Sequence, residues 1–319
     1  MIELRETPIE HLSMSRRVGE NLWVKRDDQT NSLYGGNKVR KLRVLLSDAE
    51  RRGIRRIVTL GAAGSHHVLA TALFARRLGI TVVGVLAPQV DSVDARTMLR
   101  ATIASGAELH AAPSRAATAR VLASVVRRGD LVLPLGGSTP ASVRGYVDAM
   151  LEVASQVARG DMPRPTDVVI ATGSGGTAAG VALGIVEAGL DARVHAVVVA
   201  DPPSLPALGV RSLIVAASLQ KPRLARAALA RLVFDDRWLG AGYGVATASG
   251  LDAASEASAR GLVVDTTYTA KSLAAAMALS RTGRVVLWID TLSSAPMAPL
   301  LENAPEADDL PPALAALLT

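Results

Sequence analysis

The chain of 319 residues contains no cysteine. That excludes disulfides and protein thiolate chemistry, and it fits a reducing compartment, so a cytoplasmic location is expected. Aromatic residues are also scarce, at 3%. Base stacking therefore has little to build on, and no nucleic-acid partner is expected. No apolar run approaches the ~20 residues of a membrane span, and no membrane partner is expected either. The stretch MIELRETPIEHLSMS is charged throughout and has no apolar segment of a secretory leader. The histidines, His11, His66, His67, His110 and His195, include one adjacent pair but no zinc-type spacing, so no metal is expected. The net charge is +6. Its Arg pairs, such as Arg51–Arg52 and Arg127–Arg128, fall near the ends of predicted helices, where cations complement the macrodipole.

What is present is a chain 49% apolar and rich in Ala, Val and Leu. β-Branched runs alternate with amphipathic stretches. Strands are predicted at 22–26, 56–61, 81–87, 131–135, 167–173, 193–201, 261–265 and 284–290. Helices are predicted at 39–52, 67–78, 92–105, 115–128, 140–159, 177–188, 222–232, 248–259 and 270–281. This alternation indicates βαβ units, mostly parallel sheets and right-handed connections. The stretch ARGDMPRPTD (158–167) reads as a domain crossing. The tail ENAPEADDLPPALAALLT reads as a docking or capping segment ending in a short apolar helix.

Three stretches could carry chemistry. ATGSGGTAAG (171–180) follows an apolar strand and opens a helix; such a turn presents amides and a helix dipole to an anion, with Ser174 and Thr177 as added donors. Gly173, Gly175 and Ala178 also satisfy a relaxed dinucleotide fingerprint, though mid-chain. GAAGSHHVLA (61–70) has Ser65 as a natural helix cap or as a carboxylate grip, and His66 and His67 could bind a ligand or move protons. In YGGNKVRKLR (34–43), Lys38 stands at a helix mouth, where a cation is disfavoured and a nucleophilic neutral amine is favoured. The two glycines before it read as room around that amine. A phosphate cradle, a helix-mouth lysine and a carboxylate-type turn together suggest pyridoxal phosphate.

The residues then support a resemblance. KRDDQTNSLYGGNKVRKL resembles the signature of the D-cysteine desulfhydrase and 1-aminocyclopropane-1-carboxylate deaminase family. LPLGGSTPASVRGYVDAMLEVASQ, ATGSGGTAAG, and YGVATASGLDAAS with VVDTTYTAKSLAAAM are similar to its later motifs, in the same order. The resemblance implies a fold-type II pyridoxal-phosphate enzyme: α/β, two lobes, mostly parallel twisted sheets covered by helices, as in the tryptophan synthase β-subunit. It implies a large cofactor-binding domain of residues 1–46 plus 161–319, a small domain of 47–160, and a homodimer. By matching position, Lys38 would be the Schiff-base lysine, preceded by Asn37. Lys41 would neutralise the cofactor phosphate with the turn Gly173, Ser174, Gly175, Gly176 and Thr177. Ser65 would stand near the substrate carboxylate, Tyr268 would face the substrate, and Thr291 would lie opposite the pyridine nitrogen.

This chain departs from the family pattern at two places. Ser65-His66-His67 replaces S-N-Q or S-N-H, so His66 stands where the family's Asn touches the cofactor's ring oxygen. Asp290-Thr291-Leu292-Ser293 replaces H-T-G-G, with Trp288 before it. The expected activity is a lyase or deaminase on a small amino acid, by β-elimination or ring opening, giving a 2-oxo acid and ammonia. Lys38 or Ser65 would take the proton, with His66 and His67 assisting the leaving group. The alternatives are a biosynthetic β- or γ-replacement or racemisation enzyme, a non-catalytic cofactor binder and, more distantly, a dinucleotide-binding oxidoreductase using the 171–180 loop.

Overall fold

The computed structural model describes residues 2–13 and 21–319; Met1 and residues 14–20, which include the end of the N-terminal stretch read above, lie outside them. In chain order the elements are β1 (Ile9–His11), β2 (Leu22–Lys25), α1 (Asn37–Arg51), β3 (Arg56–Ala62), α2 (His66–Arg76), β4 (Thr81–Ala87), α3 (Val93–Ala104), β5 (Glu108–Ala111), α4 (Thr118–Val125), β6 (Leu131–Leu133), α5 (Arg144–Arg159), β7 (Asp167–Thr172), α6 (Gly176–Glu187), β8 (Arg193–Val198), α7 (Ser204–Ala217), α8 (Pro222–Arg231), β9 (Leu232–Asp235), α9 (Ala248–Ser258), α10 (Thr269–Ser280), β10 (Val286–Ile289), α11 (Ala298–Leu301) and α12 (Pro312–Ala315). The chain divides into two compact units. One holds Leu42–Thr139 and Ala295–Thr319 with the first residues of the chain; the other holds Leu4–Lys41 and Pro140–Ser294.

The first unit is built on a parallel four-stranded sheet ordered β5-β4-β3-β6. Its strands are apolar runs such as Val82 to Leu86, because a parallel sheet has no face left to water. The tail belongs here: Leu310, Leu314 and Leu317 pack on Leu86, Leu99 and Val68, as a docking segment should. The second unit is built on a six-stranded sheet ordered β1-β2-β10-β7-β8-β9, parallel except for β1 against β2. Period-two alternation splits its strands between two cores. Leu287, Ile289, Val168 and Ile170 pack with α5 and α6. Val286, Trp288, Val169 and Ala171 pack with α9 and α10.

Residues from Pro140 onward join the second unit for a packing reason. Helix α5 seats on α6 through two glycines: a Cβ on Gly180 would lie 2.4 Å from the Tyr146 Cβ, and one on Gly184 would lie 2.7 Å from the Met150 Cβ. A helix pair this close belongs to one core. α5 also carries Glu152 into a buried ionic network of the second unit. Arg40 of α1 donates to Asp27 Oδ1 at 2.7 Å and to Glu152 Oε2 at 3.0 Å. The Tyr146 hydroxyl donates to Asp27 Oδ2 at 2.7 Å, and Lys25 donates to Glu152, to Gln156 and to the Thr7 carbonyl. Desolvation would raise the Asp27 carboxyl, but Arg40 holds it below its ordinary value.

Some predicted elements are corrected. Residues 261–265 form no strand: Leu262 is buried while Val263 is exposed, and the segment leads into the cap made by Asp265. The strand predicted at 131–135 stops at Leu133, before Pro134. Strands β1, β5 and β9 are each only three or four residues, too short for a periodicity to register. Helix α7 escaped because Pro206 and Gly209 interrupt its pattern, although proline is tolerated in a first turn. No helix among the described residues is long and apolar enough to cross a membrane.

Candidate active site

In the second unit, the approach to Lys38 is fixed by backbone contact. The Gly36 amide donates to the Asp27 carbonyl at 2.8 Å, and the Asn37 amide donates to the Thr291 carbonyl at 3.1 Å. A Cβ on Gly35 would fall 1.8 Å from the Asp28 carbonyl oxygen. Gly36 has φ +83°, and its Cβ would fall 2.4 Å from the Thr291 carbonyl oxygen. The glycines therefore do not leave room for a ligand, as their sequence suggested; they let the chain run against residues 27–28 and 291–292. Asn37 then opens α1 and donates through Nδ2 to Thr177 Oγ1 at 3.0 Å, tying the start of α1 to the start of α6.

Lys38 follows, partly buried, and hydrogen-bonds to none of the described residues. Burial pulls its amine down from 10.5 to about 8, with Asp265 opposing. Lys41, one turn on, is 1% exposed. Burial lowers its amine well below the ordinary value, and the neighbouring charge of Lys38 lowers it further. Two buried amines repelling one another at a helix N-terminus make a place that favours an anion.

The turn after β7 completes this end of the unit. Gly175 takes φ +88° at the N-cap of α6, where it has no side chain to offer as a cap. The Tyr268 ring lies over Gly173, 3.3 Å from where a Cβ would be. Asp265 caps the chain before α10, accepting from the amides of Thr267 at 2.8 Å and Tyr268 at 2.6 Å. The Tyr268 hydroxyl pairs with that of Tyr243 at 2.8 Å, the rings edge to face. Thr291 and Ser174 are partly buried. Ser293, standing where the resemblance has glycine, accepts from the Gly35 amide at 2.8 Å. Asp290 is fully buried; its Oδ1 accepts from the Leu292 amide at 3.2 Å, and its Oδ2 has no hydrogen-bond partner among the described residues. Desolvation first, and then Asp28, push its carboxyl well above the ordinary value. Trp288 is buried and donates to Ser272 Oγ at 3.0 Å.

Ser65, His66 and His67 lie in the first unit. Ser65 caps α2, accepting from the Val68 amide at 3.4 Å. Gly61 leaves space for it: a Cβ there would lie 2.4 Å from the serine Oγ. The histidine pair divides. His66 is partly exposed, whereas His67 is 2% exposed, with Nε2 3.0 Å from the Thr59 hydroxyl and Nδ1 3.5 Å from that of Thr71. Its imidazole thus has hydroxyls on both ring nitrogens and sits inside the core.

Lys38, Asn37, Lys41, the 173–177 turn, Tyr268 and Thr291 thus all belong to the second unit. Tyr243, Asp265 and Lys271 were not singled out from the sequence. Lys271 was visible as the lysine of the Y-T-x-K stretch, and Tyr243 as the first residue of the YGVATASGLDAAS stretch. A phosphorylated aldehyde fits this set: a helix N-terminus behind glycines and two lysine amines withdrawn from water, one of them, Lys38, brought to about 8 and without a hydrogen-bond partner among the described residues.

Comparison with known proteins agrees with that fit. The family described as "Pyridoxal-phosphate dependent enzyme" matches residues 2–289. The D-cysteine desulfhydrase of Salmonella choleraesuis is 33% identical over 280 residues, 84% of each chain. A crystal structure of an ACC deaminase homologue superposes with TM-score 0.78 at 26% identity, covering 95% of both chains. A fungal L-serine ammonia-lyase from Rhizomucor miehei shares the fold, with TM-score 0.67 at 20% identity, over 94% of this chain and 98% of that one. The dinucleotide reading of the 171–180 loop gives way to these matches. The chain belongs to the pyridoxal-phosphate dependent enzyme family, with a fold-type II architecture and pyridoxal phosphate as its cofactor.

Proposed function

We propose that the protein is a lyase or deaminase of small amino acids, similar to D-cysteine desulfhydrase or 1-aminocyclopropane-1-carboxylate deaminase, releasing a 2-oxo acid and ammonia. The observation that carries this is Lys38: an amine brought to about 8 by burial, with no hydrogen-bond partner among the described residues, on a helix start tied to the glycine turn. When bound, pyridoxal phosphate supplies an aldehyde that condenses with amines and a ring that delocalises charge from the substrate α carbon. The first-turn amides of α6 and Lys41 hold the phosphate charge. Lys38 would hold the aldehyde carbon and serve as the base that takes a substrate proton; such general-base help is worth roughly 10²–10⁴-fold. Tyr268, paired with Tyr243, orients the amino acid. Ser65 and His66, at the start of α2, grip its carboxylate and bear on the ring oxygen. His67, enclosed by Thr59 and Thr71, supports α2 rather than moving protons. Thr291 would offer its hydroxyl to the pyridine nitrogen. The protein works in the cytoplasm as a homodimer.

The loaded enzyme is offered D-cysteine and 1-aminocyclopropane-1-carboxylate, and 2-oxo acid and ammonia are measured. Release from either supports the reading. A protein that binds pyridoxal phosphate, is labelled at Lys38 by borohydride, and releases neither product from a panel of small D- and L-amino acids would sink it. The Ser65-His66-His67 and Asp290-Ser293 departures favour, as a second reading, a replacement or racemisation on the same cofactor.

A further inference from the structure

The second unit contains a fully buried lysine whose position nothing above explains. Lys271 lies in the first turn of α10, three residues beyond Tyr268. Its Nζ donates to the Leu239 carbonyl at 2.7 Å and to the Gly242 carbonyl at 3.3 Å. Both acceptors are backbone atoms of the irregular segment 239–243, which ends in Tyr243. A second charge holds the same segment from another element. Asp201, exposed after β8, accepts from the Tyr243 amide through Oδ2 at 2.7 Å. That carboxylate approaches so closely that a Cβ on Gly242, where φ is +140°, would lie 2.8 Å from Oδ2. Burying a lysine is costly, and here two carbonyls offset that cost. The structural result is a loop held by a cation on its carbonyls and an anion on its amide. The loop's outcome is the hydroxyl contact between Tyr243 and Tyr268 at 2.8 Å.

We propose that Lys271 and Asp201 form a two-charge clamp that positions Tyr243 against Tyr268 and so fixes the hydroxyl pair beside the glycine turn. Both are positioning residues: they act through the tyrosine pair. The functional side of this inference rests on the reading that Tyr268 faces the amino acid. The physical logic is that one hydrogen bond between phenols cannot order a glycine-rich loop, since ordering each backbone residue costs about 1–2 kcal/mol. Charge-assisted bonds to carbonyl and amide groups of the same loop remove that freedom before substrate arrives.

The test uses the protein's four tyrosines, Tyr34, Tyr146, Tyr243 and Tyr268. The full-length enzyme, loaded with pyridoxal phosphate and labelled with 3-fluorotyrosine, gives one fluorine resonance for each, assigned with Tyr243→Phe and Tyr268→Phe. In Lys271→Met the Tyr243 and Tyr268 resonances are expected to move together or broaden, while those of Tyr34 and Tyr146 stay. Asp201→Ala, on the surface, is expected to move the same two and serves where Lys271→Met fails to fold. Unchanged Tyr243 and Tyr268 resonances in a folded Lys271→Met or Asp201→Ala protein would overturn the clamp. With D-cysteine, Lys271→Met is expected to lower kcat/KM about tenfold, the order of one lost positioning hydrogen bond. Lys271→Met combined with Tyr243→Phe is expected to be no worse than Tyr243→Phe alone; additive losses would also count against the clamp. The two readings fail separately. A Tyr268→Phe protein with undiminished turnover removes the substrate-facing role, whereas the resonance pattern, recorded without amino acid, still decides the clamp.

Discussion

The first turns of α1 and α10 pose the same problem and solve it differently. Each carries a lysine withdrawn from water, Lys38 and Lys271, and burial lowers both amines while Asp265 opposes the shift in both. Lys271 spends its protons on two carbonyls and becomes part of the scaffold. Lys25, in the ionic network of the same unit, is fixed in the same way by Thr7, Gln156 and Glu152. Lys38 hydrogen-bonds to none of the described residues. Burial alone therefore does not mark a reactive amine; burial without a partner does, because only then is the neutral form cheap and the nitrogen lone pair available.

The contrast breaks most sharply at Lys38 itself. Lys38→Ala is expected to leave a folded protein that borohydride cannot label, with turnover lowered at least ~10³-fold, as loss of both anchor and base requires. Lys271→Met is expected to keep the label. The pH dependence sharpens the same point. Reaction of the cofactor-free apoprotein with pyridoxal phosphate needs the uncharged amine, whose fraction rises with pH. Its rate is expected to climb and level off through about 8, rather than near the ordinary 10.5. An inflection near 10 in stopped-flow absorbance would remove the distinction between Lys38 and a surface lysine.

The next effect concerns what holds α1 in place. Arg40 lies two residues beyond Lys38 and is 2% exposed, on Asp27 and Glu152. Arg40→Met leaves Asp27 buried with only Tyr146 and Thr7 as hydroxyl donors. Breaking one side of a buried pair typically costs about 3–5 kcal/mol, so a large drop in urea midpoint is expected. Cofactor affinity should fall with it, because the residue carrying the aldehyde anchor sits on the same turn. A midpoint within experimental error of the parent would show that the network is dispensable.

Much of this was legible from one sequence, and the omissions share a cause. Strands such as β4 and β7, and helices α1, α6 and α10, announced themselves by periodicity and by Gly-rich turns. GGNK and GSGGT were readable because a helix-mouth lysine and an uncapped helix start are local patterns. What the sequence hid is set by residues far apart in the chain. Tyr243 matters through Tyr268, and the glycines at 35 and 36 meet carbonyls of residues 28 and 291, over two hundred and fifty positions away in the latter case. The exchange of glycine for Ser293 likewise gains meaning only from the Gly35 amide it accepts from. The hydroxyl partners of His67, Thr59 and Thr71, were likewise out of view, because they become its neighbours only when α2 packs on β3.

The comparison extends from bases to one acid. Asp290 resembles Lys38 rather than Lys271: its Oδ2 is buried and has no hydrogen-bond partner among the described residues. Desolvation and then the charge of Asp28 raise its carboxyl well above the ordinary value, Asp265 adds to the rise, and the Leu292 amide and Arg26 only partly oppose it. The sign for stability follows. Below roughly pH 4 the carboxyl is protonated whether the chain is folded or not, and it contributes no pH dependence. As pH rises the unfolded chain ionises first, so stability is lost progressively until the raised folded value is reached, by at most about 1.4 kcal/mol per pH unit. Asp290→Asn cannot ionise. Its stability relative to the parent is therefore expected to improve as pH rises above about 4, measured as the difference in urea midpoints of the two proteins. A difference that stays constant across that range would mean that the Asp290 carboxyl ionises in the folded chain as it does in the unfolded one, and that some group holds its Oδ2 as firmly as Leu239 and Gly242 hold Lys271.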